Sequence, residues 1–74
     1  MEAYAFNRIP VDSTSIAAIA FSAELNIMDV AFHRGATYRY SLVPGEVFSA
    51  FINAPSKGGY FNAQVRDRYP CRKL

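Results

Sequence analysis

The sequence predicts an α+β domain: a three-stranded antiparallel β-meander followed by two C-terminal helices packed on one face. Three observations carry this reading. Up to about Leu42, apolar residues come in short runs separated by turn residues, as successive hairpins require. Beyond Val43 the apolar spacing changes to three and four, the period of a helix face. Prolines at 44, 55 and 70 punctuate that second half at helix-like intervals. The chain of 74 residues makes one domain with a small core, and its composition, 51% apolar with six Phe, is that of a folded chain rather than a disordered one.

Each element follows in order. Residues 1–10 read as a loose N-terminal arm ending at Pro10, and residues 11–74 as the domain proper. The "VDSTS" run offers small hydroxyls to nearby backbone groups and leads into structure. "IAAIAFSA" is the first strand, and "ELN" supplies a turn with Asn26 suited to positive φ. In "IMDVAFH" the side chains alternate, with Met28, Val30 and Phe32 on one face and Asp29 and Ala31 on the other. "HRG" is a tight turn with Gly35 at the left-handed position of a bulged hairpin, and "ATYRYSL" is the third strand.

That turn fixes a register in which Val30 faces Tyr38 and Met28 faces Tyr40. Tyr38 and Tyr40 then share the apolar face, and Arg39 points the other way, beside Asp29 and Ala31. Two uses of the tyrosines compete: core residues whose hydroxyls reach the rim, or a platform on which bases stack. The shared apolar face favours the core.

"PGEVFSAFINA" is the first helix. Pro44 suits its start, Glu46 complements the helix dipole, and Val47, Phe48, Phe51 and Ile52 form a broad apolar stripe. Pro55 ends it. "SKGGYFNAQVRDRY" is expected as the second helix, with Ser56 as N-cap and Phe61, Val65 and Tyr69 as a buried seam. Pro70 stops it, leaving "CRKL" as a basic tail. The expected core centres on Ile19, Met28, Val30, Phe32, Tyr38, Tyr40, Val47, Phe51, Phe61 and Val65.

Charge is distributed unevenly. Residues 1–56 hold three arginines against five acids, whereas residues 57–74 hold five cations against Asp67 alone. A basic C-terminal end suits an acidic partner; its plainer use is as a solvated helix face and tail.

The second helix opens on "SKGG". Its first amides, the Ser56 hydroxyl, the Lys57 charge and the close approach allowed by Gly58 and Gly59 together suit an anion. The competing account is an ordinary N-cap with tight glycine packing. Asn62 and Arg66 would lie one turn apart on that helix, Arg66, Arg68, Arg72 and Lys73 would track phosphates, and Tyr60, off the seam, would stack a base or else cover the first helix.

Catalytic constellations are thin. His33 stands alone in a turn, and Ser56 and Cys71 are nucleophiles by type only, with no base nearby in sequence. A single Cys and a single His cannot build a metal cluster, so neither metal nor cofactor is expected, and the chain is read as not an enzyme. The lone Cys71 points to a reducing compartment, the cytoplasm. No signal peptide and no membrane helix is expected: the opening residues lack a basic region followed by an apolar run, and no apolar stretch reaches about 18 residues.

The combined pattern of Val11, Ser13 and Ile16; Phe32 and Gly35; Tyr38 and Tyr40; Val43-Pro44; Ser56, Gly58, Tyr60, Phe61 and Asn62; Val65-Arg66; and Tyr69-Pro70 resembles the KTSC family. This small domain is named for the C-terminus of some lysyl-tRNA synthetases. The resemblance covers about residues 9–74. The chain departs from the family at Ala20-Phe21-Ser22, where Gly-Tyr-Asp is more usual, a change expected to touch the first hairpin's hydrogen bonds more than the fold. The resemblance implies a stand-alone single-domain protein of a bacterium or phage, resident in the bacterial cytoplasm, with RNA binding suggested by the synthetase context.

Two functions are therefore expected to compete. One is a non-catalytic module for RNA or other nucleic acid, using Ser56, Lys57, Gly58, Gly59, Tyr60, Asn62, Arg66, Arg68, Arg72 and Lys73. The other is a protein-interaction module, either an accessory protein that modulates a host protein or a homo-oligomer formed through open sheet edges.

Overall fold

The chain folds around a five-stranded antiparallel sheet in the order β1-β2-β3-β4-β5, seen in a computed structural model that describes residues 7–74. The strands are β1 (Arg8–Pro10), β2 (Ile16–Ser22), β3 (Ile27–Phe32), β4 (Thr37–Tyr40) and β5 (Cys71–Lys73). Between β4 and β5 run helix α1 (Gly45–Asn53), helix α2 (Lys57–Tyr60) and a π-helical turn (Phe61–Val65) that continues α2. The class is α+β, as the hydrophobic pattern predicts. No helix among the described residues is long and apolar enough to cross a membrane.

The central hairpins have the expected turns. Asn26 takes φ +55° between β2 and β3, and Gly35 takes φ +107° between β3 and β4, a conformation that costs a residue without Cβ nothing. Gly35 N–H donates to the Phe32 carbonyl at 2.9 Å and Phe32 N–H to the Ala36 carbonyl at 2.8 Å, closing the bulged turn. The register is the one the turn dictates: Val30 opposite Tyr38, Met28 opposite Tyr40, Asp29 opposite Arg39.

A bulge at Ala17 separates the pairs Ile16–Phe32 and Ala18–Ala31 in β2. The extra residue lets Ile16 and Ile19 both turn to the core although they are three apart, which strict alternation forbids.

Two short strands correct the expected three-stranded meander. The "CRKL" segment is not a loose tail: Cys71–Lys73 pairs with β4, Tyr38 opposite Lys73 and Tyr40 opposite Cys71. At the other edge Arg8–Pro10, within the stretch expected as an arm, pairs with β2. Residues 1–6 of that arm lie outside the described residues.

The second helix also ends earlier than expected. After Val65 the backbone leaves the helix at Arg66, ψ 128°, and Asp67 takes φ +62°. Tyr69 therefore packs on the core from a loop and is not part of a helical seam. The physical reason is topological: the chain must reverse at this point to lay β5 beside β4, and Asp tolerates the left-handed conformation better than most residues. Arg66 N–H reaches back five residues to the Phe61 carbonyl at 2.8 Å, which makes the last turn π-helical.

The helices cover one face of the sheet. Ile16, Ile19, Met28, Val30, Tyr40, Val43, Phe51, Phe61 and Val65 form the buried cluster. Of the expected core residues, Phe32, Tyr38 and Val47 are only partly buried against it. On the opposite face Asp29, itself buried, receives a two-pronged pair of hydrogen bonds from Arg39 at 2.8 Å each.

Candidate nucleic-acid interface

Two clefts each hold some of the basic and hydroxyl-bearing residues. One lies at the start of α2, the other at its exit.

At the start, Ser56 caps α2 by accepting a hydrogen bond from Gly59 N–H at 3.1 Å, so the Gly59 amide already has a partner. The Lys57 ammonium donates to the Ala54 carbonyl at 2.6 Å. Both glycines have packing reasons. A Cβ on Gly58 would meet Ser15 Oγ at 3.1 Å, and one on Gly59 would meet Ser56 Oγ at 3.0 Å. Tyr60 stacks on Phe51 with centroids 5.3 Å apart, and its hydroxyl is 3.4 Å from the Val47 carbonyl; it covers α1. The small cleft here, ≈ 330 Å³, places Asp12 with Ser56 and Lys57, so a carboxylate shares it with the one cation.

At the exit, the π-helical turn and the β4–β5 edge form the walls of a groove of ≈ 690 Å³. Tyr38 and Tyr40 line its floor from β4, with Cys71 and Lys73 beside them from β5. Phe61 and Arg66 form the opposite wall, and Arg34 closes one end from the β3–β4 turn. The aromatic rings brace one another edge to face: Phe32 with Tyr38 at 6.1 Å, Phe32 with Phe61 at 5.3 Å, and Tyr40 with Phe61 at 5.9 Å. The early end of the helix is what puts Arg66 here, since a continued α-helix would carry the chain onward instead of turning it back along β4.

Three cations, Arg34, Arg66 and Lys73, face a single acid in the groove, Asp67. Among the described residues none of the three cations is ion-paired. Tyr40 is 4% exposed, and burial is the main reason its phenol is pushed up to about 12, with Cys71, Tyr38 and Asp67 adding to the rise and Arg66 opposing it. The phenol therefore keeps its proton at neutral pH and is available as a donor.

The ten site residues expected from sequence thus fall in different places. Arg66 and Lys73 meet in the exit groove, with Arg34 and Tyr38, which sequence reasoning did not assign to it. Ser56, Lys57 and Gly58 line the cleft at the helix start, while Gly59 serves the cap and Tyr60 the core. Asn62 and Arg68 are exposed outside both clefts. Arg72 pairs with Arg39 in register and so belongs to the opposite face of the sheet. Arg34 was findable: its turn position beside Gly35 puts it at the end of the strand that carries Tyr38.

His33 sits exposed in its turn with Nε2 3.0 Å from the Ser13 carbonyl oxygen. Among the described residues no three His, Cys, Asp or Glu side chains are grouped to hold a metal ion.

Comparison with known proteins gives a consistent picture. The family model described as the KTSC domain matches residues 12–69. An uncharacterized protein of Stutzerimonas stutzeri is 40% identical over 62 residues, covering 84% of this chain and 87% of its own. A lysine–tRNA ligase of Nostoc punctiforme is 27% identical over 70 residues, which is 95% of this chain but 12% of the ligase. The crystal structure of a KTSC domain protein from Yersinia pestis superposes with a TM-score of 0.90 at 32% identity, covering 95% of this chain and 99% of that one.

Proposed function

The chain belongs to the KTSC domain family, and on that premise we propose that it is a non-catalytic module that binds single-stranded nucleic acid, RNA in the first instance, in the exit groove. The observation that carries the reading is the meeting of cations that have no ion pair among the described residues with a partly exposed aromatic: Arg34, Arg66 and Lys73 line one groove with Tyr38. Single strands are held by this combination, with cations following the phosphates and a flat ring taking a base. The likeness to a stretch making up 12% of a longer lysine–tRNA ligase lends context, because that protein's name gives it an RNA substrate.

The test is a fluorescence-anisotropy titration with a short unstructured RNA. Three phosphate contacts give a log–log salt slope of about −2, so affinity falls about 20-fold between roughly 50 and 200 mM salt. Absence of binding at the lower salt, or binding indifferent to salt, contradicts the reading.

A second reading is a protein-interaction module. It is supported by the two open sheet edges: β1 and β5 are three exposed residues each, and their outer backbone groups are available to an added strand. A homo-oligomer formed this way would sediment above the monomer mass.

A further inference from the structure

The Tyr40 hydroxyl is a polar group with no use among the described residues. Its side chain is almost fully buried, yet no group among the described residues accepts or donates a hydrogen bond to it. Tyr60 shows the contrast, since its less buried hydroxyl still reaches the Val47 carbonyl. Nearly all buried polar groups have a partner, and one left without is costly. Phenylalanine at this position would keep the ring contact with Phe61 and avoid that cost.

Its surroundings indicate what the hydroxyl faces. Tyr40 lines the exit groove with Cys71, its partner across the β4–β5 pair, and with Tyr38, Asp67 and Arg66. A protonated phenol there offers a donor. Arg66 and Lys73 line the same groove, Lys73 opposite Tyr38, and the ionisable lining carries three cations against one acid, Asp67. A buried donor in a groove whose cations outnumber its acids suits an oxyanion, and the space allows a group as large as a nucleotide.

We infer that the floor of the exit groove is a phosphate seat in which Tyr40 Oη donates to a phosphate oxygen held between Arg66 and Lys73. The inference rests on the nucleic-acid reading for the identity of the occupant, but the seat itself requires only a phosphate ester. That ester has two sources, an internal phosphodiester of a strand or the phosphate of a free nucleotide.

Tyr40→Phe is the decisive substitution because its effects on stability and binding have opposite signs. Removing an unpartnered buried hydroxyl leaves the melting temperature unchanged or raised. The same change weakens phosphate binding by about 5- to 10-fold, the loss of one charge-assisted hydrogen bond. The experiment uses the full chain and two probes, adenosine monophosphate and a short unstructured RNA, followed by two-dimensional amide NMR and by anisotropy, with thermal melts of both variants. The expected result is that both probes shift the amides around Tyr40 and Lys73, and that Tyr40→Phe melts no lower while binding each of them several-fold more weakly.

Other outcomes separate the two ideas. If RNA binds and Tyr40→Phe binds it equally well, the seat is overturned and the strand-binding reading stands. If the monophosphate occupies the groove in a Tyr40-dependent way but RNA does not bind, the seat stands with a free nucleotide as its occupant and the strand-binding reading falls. If neither probe binds, both fall. A lower melting temperature for Tyr40→Phe would show that the hydroxyl has an internal structural role and would also overturn the seat.

Discussion

The two ends of the second helical segment use similar residues for opposite purposes. At its start, Ser56 satisfies the Gly59 amide, Lys57 satisfies the Ala54 carbonyl, and Tyr60 lies flat against Phe51. At its exit, Arg66 and Lys73 have no ion-pair partner and the Tyr40 hydroxyl no hydrogen-bond partner among the described residues. A serine, a lysine and a tyrosine that complete one another hold a fold together. An arginine, a lysine and a tyrosine left incomplete beside a groove are, on the proposed reading, held for a ligand. The difference teaches that the same residue types can be spent on the fold or left with unspent hydrogen-bonding and charge capacity, and the proposed site rests on the second.

The comparison can be broken or sharpened by substitution. The largest effect is expected at the start, where Phe51 is fully buried beneath Tyr60. Phe51→Ala should cost about 3–5 kcal/mol in denaturant unfolding, enough to leave so small a domain near its unfolding threshold. Next comes the cation on the far face of the sheet. Arg39→Met leaves Asp29 buried without its two-pronged partner and should cost about 3 kcal/mol, while changing RNA affinity little once folding is accounted for. Ser56→Ala removes the cap and should cost about 1 kcal/mol, again with affinity unchanged. A loss of RNA affinity in Ser56→Ala that exceeds its loss of stability would move the site to the helix start and undo the contrast.

At the exit the pattern should invert. Arg66→Gln should alter stability by no more than about 0.5 kcal/mol, as exposed positions do, yet weaken RNA binding about 5-fold and flatten its salt dependence. The smallest effect lies at high pH. Tyr40 ionises near 10.0 when unfolded and about 12 when folded, so the folded state holds its proton longer. That contribution is fully present below the unfolded value and is lost as pH rises from 10.0 towards about 12. Chemical denaturation across this window should show a steeper decline for the parent chain than for Tyr40→Phe.

Much of the framework was legible in the residues. The Gly35 turn fixes the β3–β4 register, and that register alone places Tyr38 and Tyr40 on the helix face and Arg39 beside Asp29. Asn26 and the interval between Pro44 and Pro55 similarly mark a turn and a helix. The two edge strands were not legible because three residues are too few to display alternation. Nor was the end of the second helix, since Phe61 and Val65, four apart, suit an α-helix as well as a π-helical turn. Those two misses account for the dispersal of the cations. Once Cys71–Lys73 is a strand, consecutive side chains alternate across the sheet, sending Arg72 to one face and Lys73 to the other. Once the chain leaves the helix at Arg66 and reverses at Asp67, Arg66 lines the groove instead of sharing a helical face with Asn62.

Amide shift mapping of the full chain with a short single-stranded RNA tests most directly whether the exit groove is the binding face. The perturbed residues should form one patch comprising Arg34, Tyr38, Arg66, Asp67 and Lys73, with Ser56–Gly59 and Arg72 unmoved. A patch centred on Ser56–Gly59 or on the Arg39–Arg72 face, with the groove silent, would contradict it.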